Sequence, residues 1–242
     1  MTYCVGLRLN KGLVFMSDTR TNAGVDNISV SKKMFTWSTP GERVITLMTA
    51  GNLATTQAVV SLLDERSKAP ADRNPTILEA PSMFQVARLV GDTLREVIKD
   101  TAPSGPTAAA FSATILVGGQ IKGGEPRLYM IYPEGNFVEA GEDTPFFQIG
   151  ETKYGRPILV RAYDEEMSFE DAIKLLFVSF DSTIKANLSV GLPIDLQIYE
   201  RDSFKVGMER RIEINDTYFD MISSGWGDSL KNAFHALPAF RF

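Results

Sequence analysis

The chain has 242 residues, of which 44% are hydrophobic and 23% are charged, so it can bury a sizeable core, and we expect a single domain over 1–242. A formal net charge of −5 and an isoelectric point of about 5.1 argue against the basic surface that dominates nucleic-acid binding, so no nucleic-acid partner is expected. A lone cysteine, no apolar run near the roughly 20 residues of a membrane span, and no basic start leading into an apolar stretch predict a cytoplasmic protein with no membrane partner.

The first quarter of the chain has the pattern of β-strands. Apolar residues alternate from Tyr3 to Leu9, residues 10–12 supply turn chemistry, and an apolar run resumes at 13–16. This pattern predicts a hairpin that ends at Asp18. A further strand at 34–37, a Pro-Gly turn at 40–41 and the apolar strand 44–51 follow.

After Gly51 the apolar spacing becomes helical. One helix is predicted over 55–66 and a second over 86–98, because apolar residues recur there at helical spacing. The segment 68–81 between them is rich in proline and polar residues, and we interpret it as a loop and not a domain linker, because it is short and has similar helices on both sides. A second loop is predicted at 101–110.

The second half alternates between strands and helices. Strands are predicted at 111–119, 127–137 with a hairpin turn, 145–150, 194–199 and 208–214. Ser168 and Asp171 resemble a capping box that opens a long helix reaching Ile184, and a short helix is predicted from about Asp228. Blocks of strands followed by blocks of helices favour an α+β fold of two packed antiparallel sheets covered by helices over a parallel βαβ sheet.

The residue types limit the available chemistry. His235, the only histidine, lies in an amphipathic C-terminal stretch and is expected at a surface or an interface, so a Ser-His-Asp triad or a His-rich zinc site is disfavoured. Thr2 offers another route if Met1 is removed, because it then carries a hydroxyl and a free α-amino group on one residue. Taken alone, a threonine at position 2 is ordinary, since small residues there permit removal of the methionine.

Three motifs change this interpretation: TYCVGLRLNKGLVFMSDTRTNAG at the start, SKKM next, and MTAG leading into a helix. Together they resemble the N-terminal-nucleophile (Ntn) hydrolase superfamily and, within it, the proteasome β-subunit clan. The likeness is greatest to the bacterial Anbu family, whose members also begin with Met-Thr and have no propeptide. The resemblance implies a four-layer αββα sandwich. It covers most of the chain in element order, while the specific motifs lie in about the first quarter.

The resemblance implies roles for four residues. Thr2 matches the nucleophile, Asp18 the acid that closes the second strand, Lys33 the lysine beside the nucleophile, and Gly51 the glycine whose N–H contributes to the oxyanion hole. These roles are physically reasonable. An α-amino group has an unperturbed pKa of about 7.7–8.0, so it can accept the hydroxyl proton near neutral pH, and such general-base assistance contributes about 10²–10⁴-fold in rate.

The chain departs from the family pattern in the residues that support the site. Glu151 in IGETKYG stands where active members have a serine. Asn187 and Val190 occupy the places of an aspartate and a serine, and Ser189 is one position away from the second. We therefore predict an altered supporting shell.

Two further assignments have plain structural alternatives. Thr49 and Leu53, on either side of the oxyanion turn, are candidate walls of a substrate pocket, with ordinary packing as the alternative. Cys4 shares a strand face with Thr2, so a thiol nucleophile is conceivable, although a lone cysteine in a β-core is more often a small hydrophobic residue.

The expected function is a threonine peptidase or amide hydrolase that works through an acyl-enzyme. The resemblance implies no metal and no organic cofactor, a homo-oligomer in the form of a ring or helical stack, and a functional link to transglutaminase-like and ATP-grasp proteins. The alternative is a catalytically silent assembly subunit. Glu151 and Asn187 favour that alternative, and Thr2, Asp18 and Lys33 oppose it.

Overall fold

The computed structural model describes residues 2–22, 28–68, 76–101 and 110–242. Met1, residues 69–75 of the first predicted loop and residues 102–109 of the second lie outside the described residues. The elements are β1 (Tyr3–Leu9), β2 (Gly12–Asp18), β3 (Arg20–Asn22), β4 (Ile28–Val30), β5 (Met34–Thr39), β6 (Arg43–Gly51), α1 (Leu53–Lys68), α2 (Met83–Thr101), β7 (Ala113–Ile121), β8 (Arg127–Ile131), β9 (Phe137–Glu139), β10 (Phe146–Gly150), α3 (Arg156–Ala162), α4 (Phe169–Ala186), β11 (Ile194–Glu200), β12 (Glu209–Ile212) and α5 (Thr217–His235).

The strands form two five-stranded antiparallel sheets and a small ribbon. The first sheet has the order β10-β1-β2-β11-β12, the second has the order β5-β6-β7-β8-β9, and β3 pairs with β4. The chain leaves the first sheet at the end of β2 and enters the second just before β5. The ends of these two strands therefore come together at one edge of the molecule.

Strand β1 shows how the sequence pattern sets the layers. Tyr3, Val5 and Leu7 belong to the apolar cluster beneath the helices α3, α4 and α5, whereas Cys4 belongs to the cluster between the two sheets. Side chains alternate between the faces of a strand, so one apolar sequence fills two layers. A Cβ at Gly6 would lie 3.0 Å from Leu128 of the second sheet, which shows how closely the sheets approach there.

Helices cover the two outer faces. The helices α1 and α2 pack on the second sheet through a separate apolar cluster, and α4 packs on β1 and β2. The order of layers is therefore helix, sheet, sheet, helix, which confirms the predicted α+β, αββα arrangement. Within the described ranges no helix is both long enough and apolar enough to cross a bilayer.

Several local predictions are confirmed and two are corrected. The β1–β2 hairpin, the helices α1 and α2, and the cap of α4 are present, with Ser168 Oγ accepting from the N–H of Asp171 at 3.0 Å. The C-terminal helix begins at Thr217, well before the predicted start near Asp228, and β12 ends at Ile212.

The physical reason for the helix correction lies in its sequence. Residues 223–227 read SSGWG, and both serine and glycine have low helix propensity, which hides the first half of α5 from a periodicity argument. The actual start is set by Asp216, whose carboxylate accepts from the N–H groups of Tyr218 and Phe219 at 3.0 and 2.9 Å. The helix α3, seven residues long with a proline in its first turn, was not predicted.

Candidate active site

Thr2 lies directly before β1 at the edge where the two sheets meet. It is 8% exposed and lines a cavity of about 410 Å³. The other lining residues come from both sheets and from α1: Thr21, Lys33, Thr49, Ala50, Gly51, Leu53, Thr56 and Gly150. Thr2, directly before β1, therefore lines a cavity that is enclosed by both sheets and by α1.

Asp18 and Lys33 form a buried ion pair behind this cavity. Lys33 Nζ lies 2.7 Å from Asp18 Oδ1, with side-chain exposures of 6% and 0%, and donates a second hydrogen bond to the carbonyl oxygen of Arg20 at 2.6 Å. Asp18 Oδ1 also accepts from the backbone N–H of Tyr3 at 3.0 Å. The carboxylate therefore fixes both the lysine and the residue that follows Thr2.

Burial dominates the electrostatics of Asp18. Removal from water raises the pKa of this carboxyl, and the adjacent Lys33 ammonium opposes the rise. An ion pair this deeply buried depends on both partners, because loss of either charge leaves the other uncompensated. The pair thus supplies a fixed positive charge at the wall of the cavity.

Gly51 ends β6 in a conformation that favours glycine, with φ of +120°. Asn52 donates its N–H to the carbonyl of Ser112 on the β7 side, whereas Thr49 donates to the carbonyl of Lys33 on the β5 side. Because N–H directions alternate along a strand, the N–H of Gly51 points to the same side as that of Thr49, beyond the start of β5. This donor therefore faces the end of the sheet where Lys33 lies.

The helix α1 follows immediately. Asn52 caps it, accepting from the N–H of Thr55 through Oδ1 at 3.1 Å. The positive end of a helix dipole is located at its N-terminus, so α1 adds favourable potential for an anion at this end of the cavity. A backbone donor and a helix N-terminus are the elements from which oxyanion sites are built.

Glu151 contacts the backbone of Thr2, and Asn187 binds the side chain of Glu151. Glu151, 8% exposed, donates its backbone N–H to the carbonyl of Thr2 at 2.7 Å, and its Oε2 accepts from Asn187 Nδ2 at 2.9 Å. Asn187 Oδ1 in turn accepts from the N–H of Ser189 at 2.9 Å. The three residues of the predicted altered shell thus form one hydrogen-bonded chain that reaches the backbone of Thr2.

A buried polar network supports the next residue, Tyr3. The Tyr3 hydroxyl lies 2.7 Å from Ser179 Oγ and accepts from Gln148 Nε2 at 2.5 Å, while Ser179 Oγ donates to the carbonyl of Gly155 at 3.2 Å. A Cβ at Gly155 would overlap both hydroxyl groups, so this position requires glycine. The network ties the loop that carries Glu151 to β1 and α4.

The structure brings most of the predicted site residues together. Thr2, Lys33, Gly51, Thr49 and Leu53 line one cavity, with Asp18 directly behind Lys33. Cys4 is not part of that cavity. It is fully buried between the sheets, where its thiol donates to the carbonyl of Thr49 at 3.7 Å and burial raises the thiol pKa.

Sequence reasoning missed several contributors. Thr21 lines the cavity, and its Oγ1 is buried without a hydrogen-bond partner among the described residues. Arg20 accepts from Lys33 through its carbonyl oxygen, and its guanidinium donates to the carbonyl of Leu188 at 2.9 Å. Both lie in the quoted motif SDTRTNAG, but only their contacts show what they do.

Comparison with known proteins decides the family. Residues 2–198 match the proteasome subunit family. The chain belongs to this family. Within it the chain is a member of the Anbu group, because it is 52% identical to Anbu from Hyphomicrobium sp. strain MC1, with 99% of this chain and 100% of that chain covered and a TM-score of 0.92.

The chain is similar to two further relatives, one from the Anbu group and one proteasome subunit. The Anbu chain from Pseudomonas aeruginosa, solved as a helical assembly, is 46% identical, with 99% of this chain and 98% of that chain covered and a TM-score of 0.92. The proteasome subunit beta of Haloquadratum walsbyi is 24% identical over 214 residues, which cover 88% of this chain and 79% of its own length. The proteasome-type Ntn-hydrolase fold is thus established for this chain, and the predicted resemblance is confirmed.

Proposed function

We propose that the protein is a threonine-type N-terminal-nucleophile hydrolase that cleaves peptide or other amide bonds through an acyl-enzyme. The observation that carries the proposal is the position of Thr2, which heads β1 inside a cavity shared with Lys33 and Gly51. Removal of Met1 gives Thr2 the free α-amine that the mechanism needs. Family membership supports the fold on which such chemistry is performed.

The first half of the reaction forms an ester. The Thr2 hydroxyl oxygen attacks the carbonyl carbon of the substrate, and its proton passes to the Thr2 α-amine. The charge that develops on the carbonyl oxygen is stabilised by the N–H of Gly51 and the N-terminus of α1. Collapse of this intermediate breaks the C–N bond, and the leaving amine takes the proton back from the α-ammonium.

Lys33 and Asp18 prepare the nucleophile. The Lys33 ammonium favours the deprotonated form of a neighbouring hydroxyl, and Asp18 keeps that ammonium in one place. Asp18 also binds the N–H of Tyr3, so it positions the nucleophile through the backbone as well. In the second half of the reaction, water attacks the ester with the α-amine as base, and Thr2 is regenerated.

Assembly and cellular context are further parts of the proposal. A homo-oligomer in the form of a ring or helical stack is proposed, since the Pseudomonas aeruginosa relative forms a helical assembly. The proposed location is the cytoplasm, and a functional link to transglutaminase-like and ATP-grasp proteins is proposed for a dedicated amide substrate. Thr49 and Leu53 are the proposed walls of the pocket for that substrate.

The deciding experiment combines intact-mass measurement with covalent probes. The purified protein should lack Met1 and should gain the mass of one β-lactone or epoxyketone probe per chain, located at Thr2 by peptide mapping. Thr2→Ala should abolish the adduct, while Thr144→Ala, an exposed threonine outside the cavity, should retain it. Retention of Met1 in the mature assembly, or an adduct that persists in Thr2→Ala, would overturn the threonine mechanism.

The second candidate is a catalytically silent assembly subunit. The pairing of Glu151 with Asn187 favours it, because a carboxylate and an amide replace the hydroxyl and carboxylate of active members. A protein that loses Met1, assembles and yet gives no adduct with either probe would support this candidate.

A further inference from the structure

Glu151 extends the contact between β1 and β10 by one residue beyond the last regular pair. Tyr3 pairs with Gly150, and the next residues along both strands are Thr2 and Glu151. Glu151 donates its N–H to the carbonyl of Thr2 at 2.7 Å, so it contacts the backbone of the residue whose nitrogen becomes the α-amine.

The close contact between Glu151 and Thr2 depends on Gly150. Its φ is +83°, and a Cβ at this position would overlap the carbonyl oxygen of Thr2. Glycine therefore lets the end of β10 press against the backbone of Thr2. Glu151 is thereby held against the backbone of Thr2.

Glu151 is a nearly buried carboxylate without a cation. It is 8% exposed, and its side-chain hydrogen bond comes from the neutral amide of Asn187. No ion pair to Glu151 exists among residues 2–22, 28–68, 76–101 and 110–242. Buried carboxylates are normally paired with a positive charge, so Glu151 lacks, within the described residues, the partner that such a group usually has.

We propose that Glu151, oriented by Asn187, is the anchor for the α-ammonium that forms when Met1 leaves Thr2. An ammonium has three donors, and the Glu151 carboxylate can accept from one of them. Glu151 is thus a positioning residue that holds the proton-carrying form of the catalytic base. This inference rests on the proposed function, because it needs the free amine of Thr2.

The surrounding charges leave this role to Glu151. Lys33, before β5, lines the cavity with Thr2; Asp18, at the end of β2, binds the N–H of Tyr3; and Asp195, on β11, acts with them on the buried Cys4. Asp18 is paired with Lys33, and Asp195 with Arg211. A carboxylate beside an amine favours its charged form, so Glu151 keeps the amine protonated to higher pH.

The test measures the amine itself and does not require turnover. Protein that begins at Thr2 is exposed briefly to an amine-reactive acylating reagent across a pH series, and mass spectrometry of the N-terminal peptide gives the fraction modified. Glu151→Gln should move the midpoint of this profile down by about one pH unit, the size expected for loss of a neighbouring opposite charge. Glu142→Gln, which removes an exposed carboxylate outside this shell, should leave the midpoint in place.

A second variant and a comparison with lactone labelling complete the test. If Glu151→Gln fails to fold, Glu151→Ser, which restores the hydroxyl of active members, should give the same downward shift. A midpoint that is unchanged in the folded variant overturns the inference, even where the lactone adduct still forms at Thr2. A shifted midpoint without any lactone adduct supports the inference while the proposed function fails.

Discussion

Asp18 Oδ1 lies 2.7 Å from Lys33 Nζ, and this ion pair joins the end of β2 in one sheet to the residue before β5 in the other. The same oxygen binds the N–H of Tyr3. One atom therefore connects the lysine at the cavity wall with the backbone of β1. This shared contact explains how Thr2, Asp18 and Lys33, which are well separated in the sequence, lie close together in the structure.

The ion pair should show strong coupling in stability measurements. Asp18→Asn and Lys33→Met each leave one buried charge uncompensated, so each should lower the free energy of unfolding by about 3–5 kcal/mol. The double variant should lose less than the sum of the two, because it leaves no isolated charge. Urea unfolding of the four proteins measures the coupling, and strictly additive losses would contradict the pair.

The hairpin that carries Asp18 could be predicted from the sequence because its pattern is local, whereas the roles of Asp18, Lys33 and Gly51 are those that the resemblance to the proteasome β-subunit clan implies. An alternating strand, a turn and a second strand place Asp18 opposite Tyr3 with little freedom. Lys33 follows within a short stretch of chain. Gly51 lies, as the pattern predicts, at the end of an apolar strand that precedes a helix, and its proposed role rests on the resemblance.

Other features depend on distant pairing and leave no local signal. The contact between Glu151 and Thr2 exists because β10 pairs with β1, although most of the chain separates them. Thr21 lies in a polar run with no periodicity, so its place in the cavity could not be inferred. The first half of α5 is hidden by glycines, and only packing and the Asp216 cap establish it.

Gly51→Ala should impair both stability and reactivity. A Cβ there would lie 2.5 Å from the carbonyl oxygen of Ser112, and φ of +120° strains an L-residue by about 1–3 kcal/mol. Displacement of its N–H should slow lactone labelling of Thr2 by about 10²–10³-fold. Gly123→Ala is the matched control, since Gly123 also has a positive φ of +89° but open space around it. Equal labelling rates in the two variants would argue against Gly51 as the donor.

Cys4 should be inert in the folded protein. Burial raises the pKa of its thiol, and its side chain is fully enclosed between the sheets. A thiol reagent such as iodoacetamide at pH 8 should modify Cys4 only after urea is added. Cys4→Ala should retain the lactone adduct at Thr2. Rapid modification of the native protein, with loss of the adduct in Cys4→Ala, would favour a thiol nucleophile instead.

Tyr3 should make the protein sensitive to alkaline pH. Burial raises the pKa of Tyr3 from 10.0 to about 12. Between these values the unfolded chain releases a proton that the folded chain keeps, so the free energy of unfolding falls as pH rises, by about 1.4 kcal/mol per pH unit. Tyr3→Phe should remove the contribution of Tyr3 to this pH dependence. Tyr129 and Tyr163, whose pKa values are also raised to about 12, should keep their contributions.

The same variant has a cost at neutral pH. Without the Tyr3 hydroxyl, Ser179 and Gln148 lose a buried partner, which should lower the free energy of unfolding by about 1–3 kcal/mol. Urea unfolding at pH 8, 10 and 11.5 measures both effects. A slope in Tyr3→Phe that equals that of the parent would show that Tyr3 titrates normally.

The helix α5 is the expected contact between copies in the proposed homo-oligomer. Of its 19 residues only Phe219 is buried, while Met221, Leu230 and Phe234 are exposed by 59%, 50% and 71%. Leu230 and Phe234 lie one turn apart on one face of the helix, with Met221 on the opposite face, and exposed apolar side chains of this kind are typical of an association surface. Phe234→Glu should therefore shift the protein to smaller species in sedimentation velocity, whereas Val138→Glu, at an exposed valine on β9, should not. Because both side chains are exposed, the far-ultraviolet circular dichroism should be unchanged, and an unaltered sedimentation profile for Phe234→Glu would place the contact on another surface.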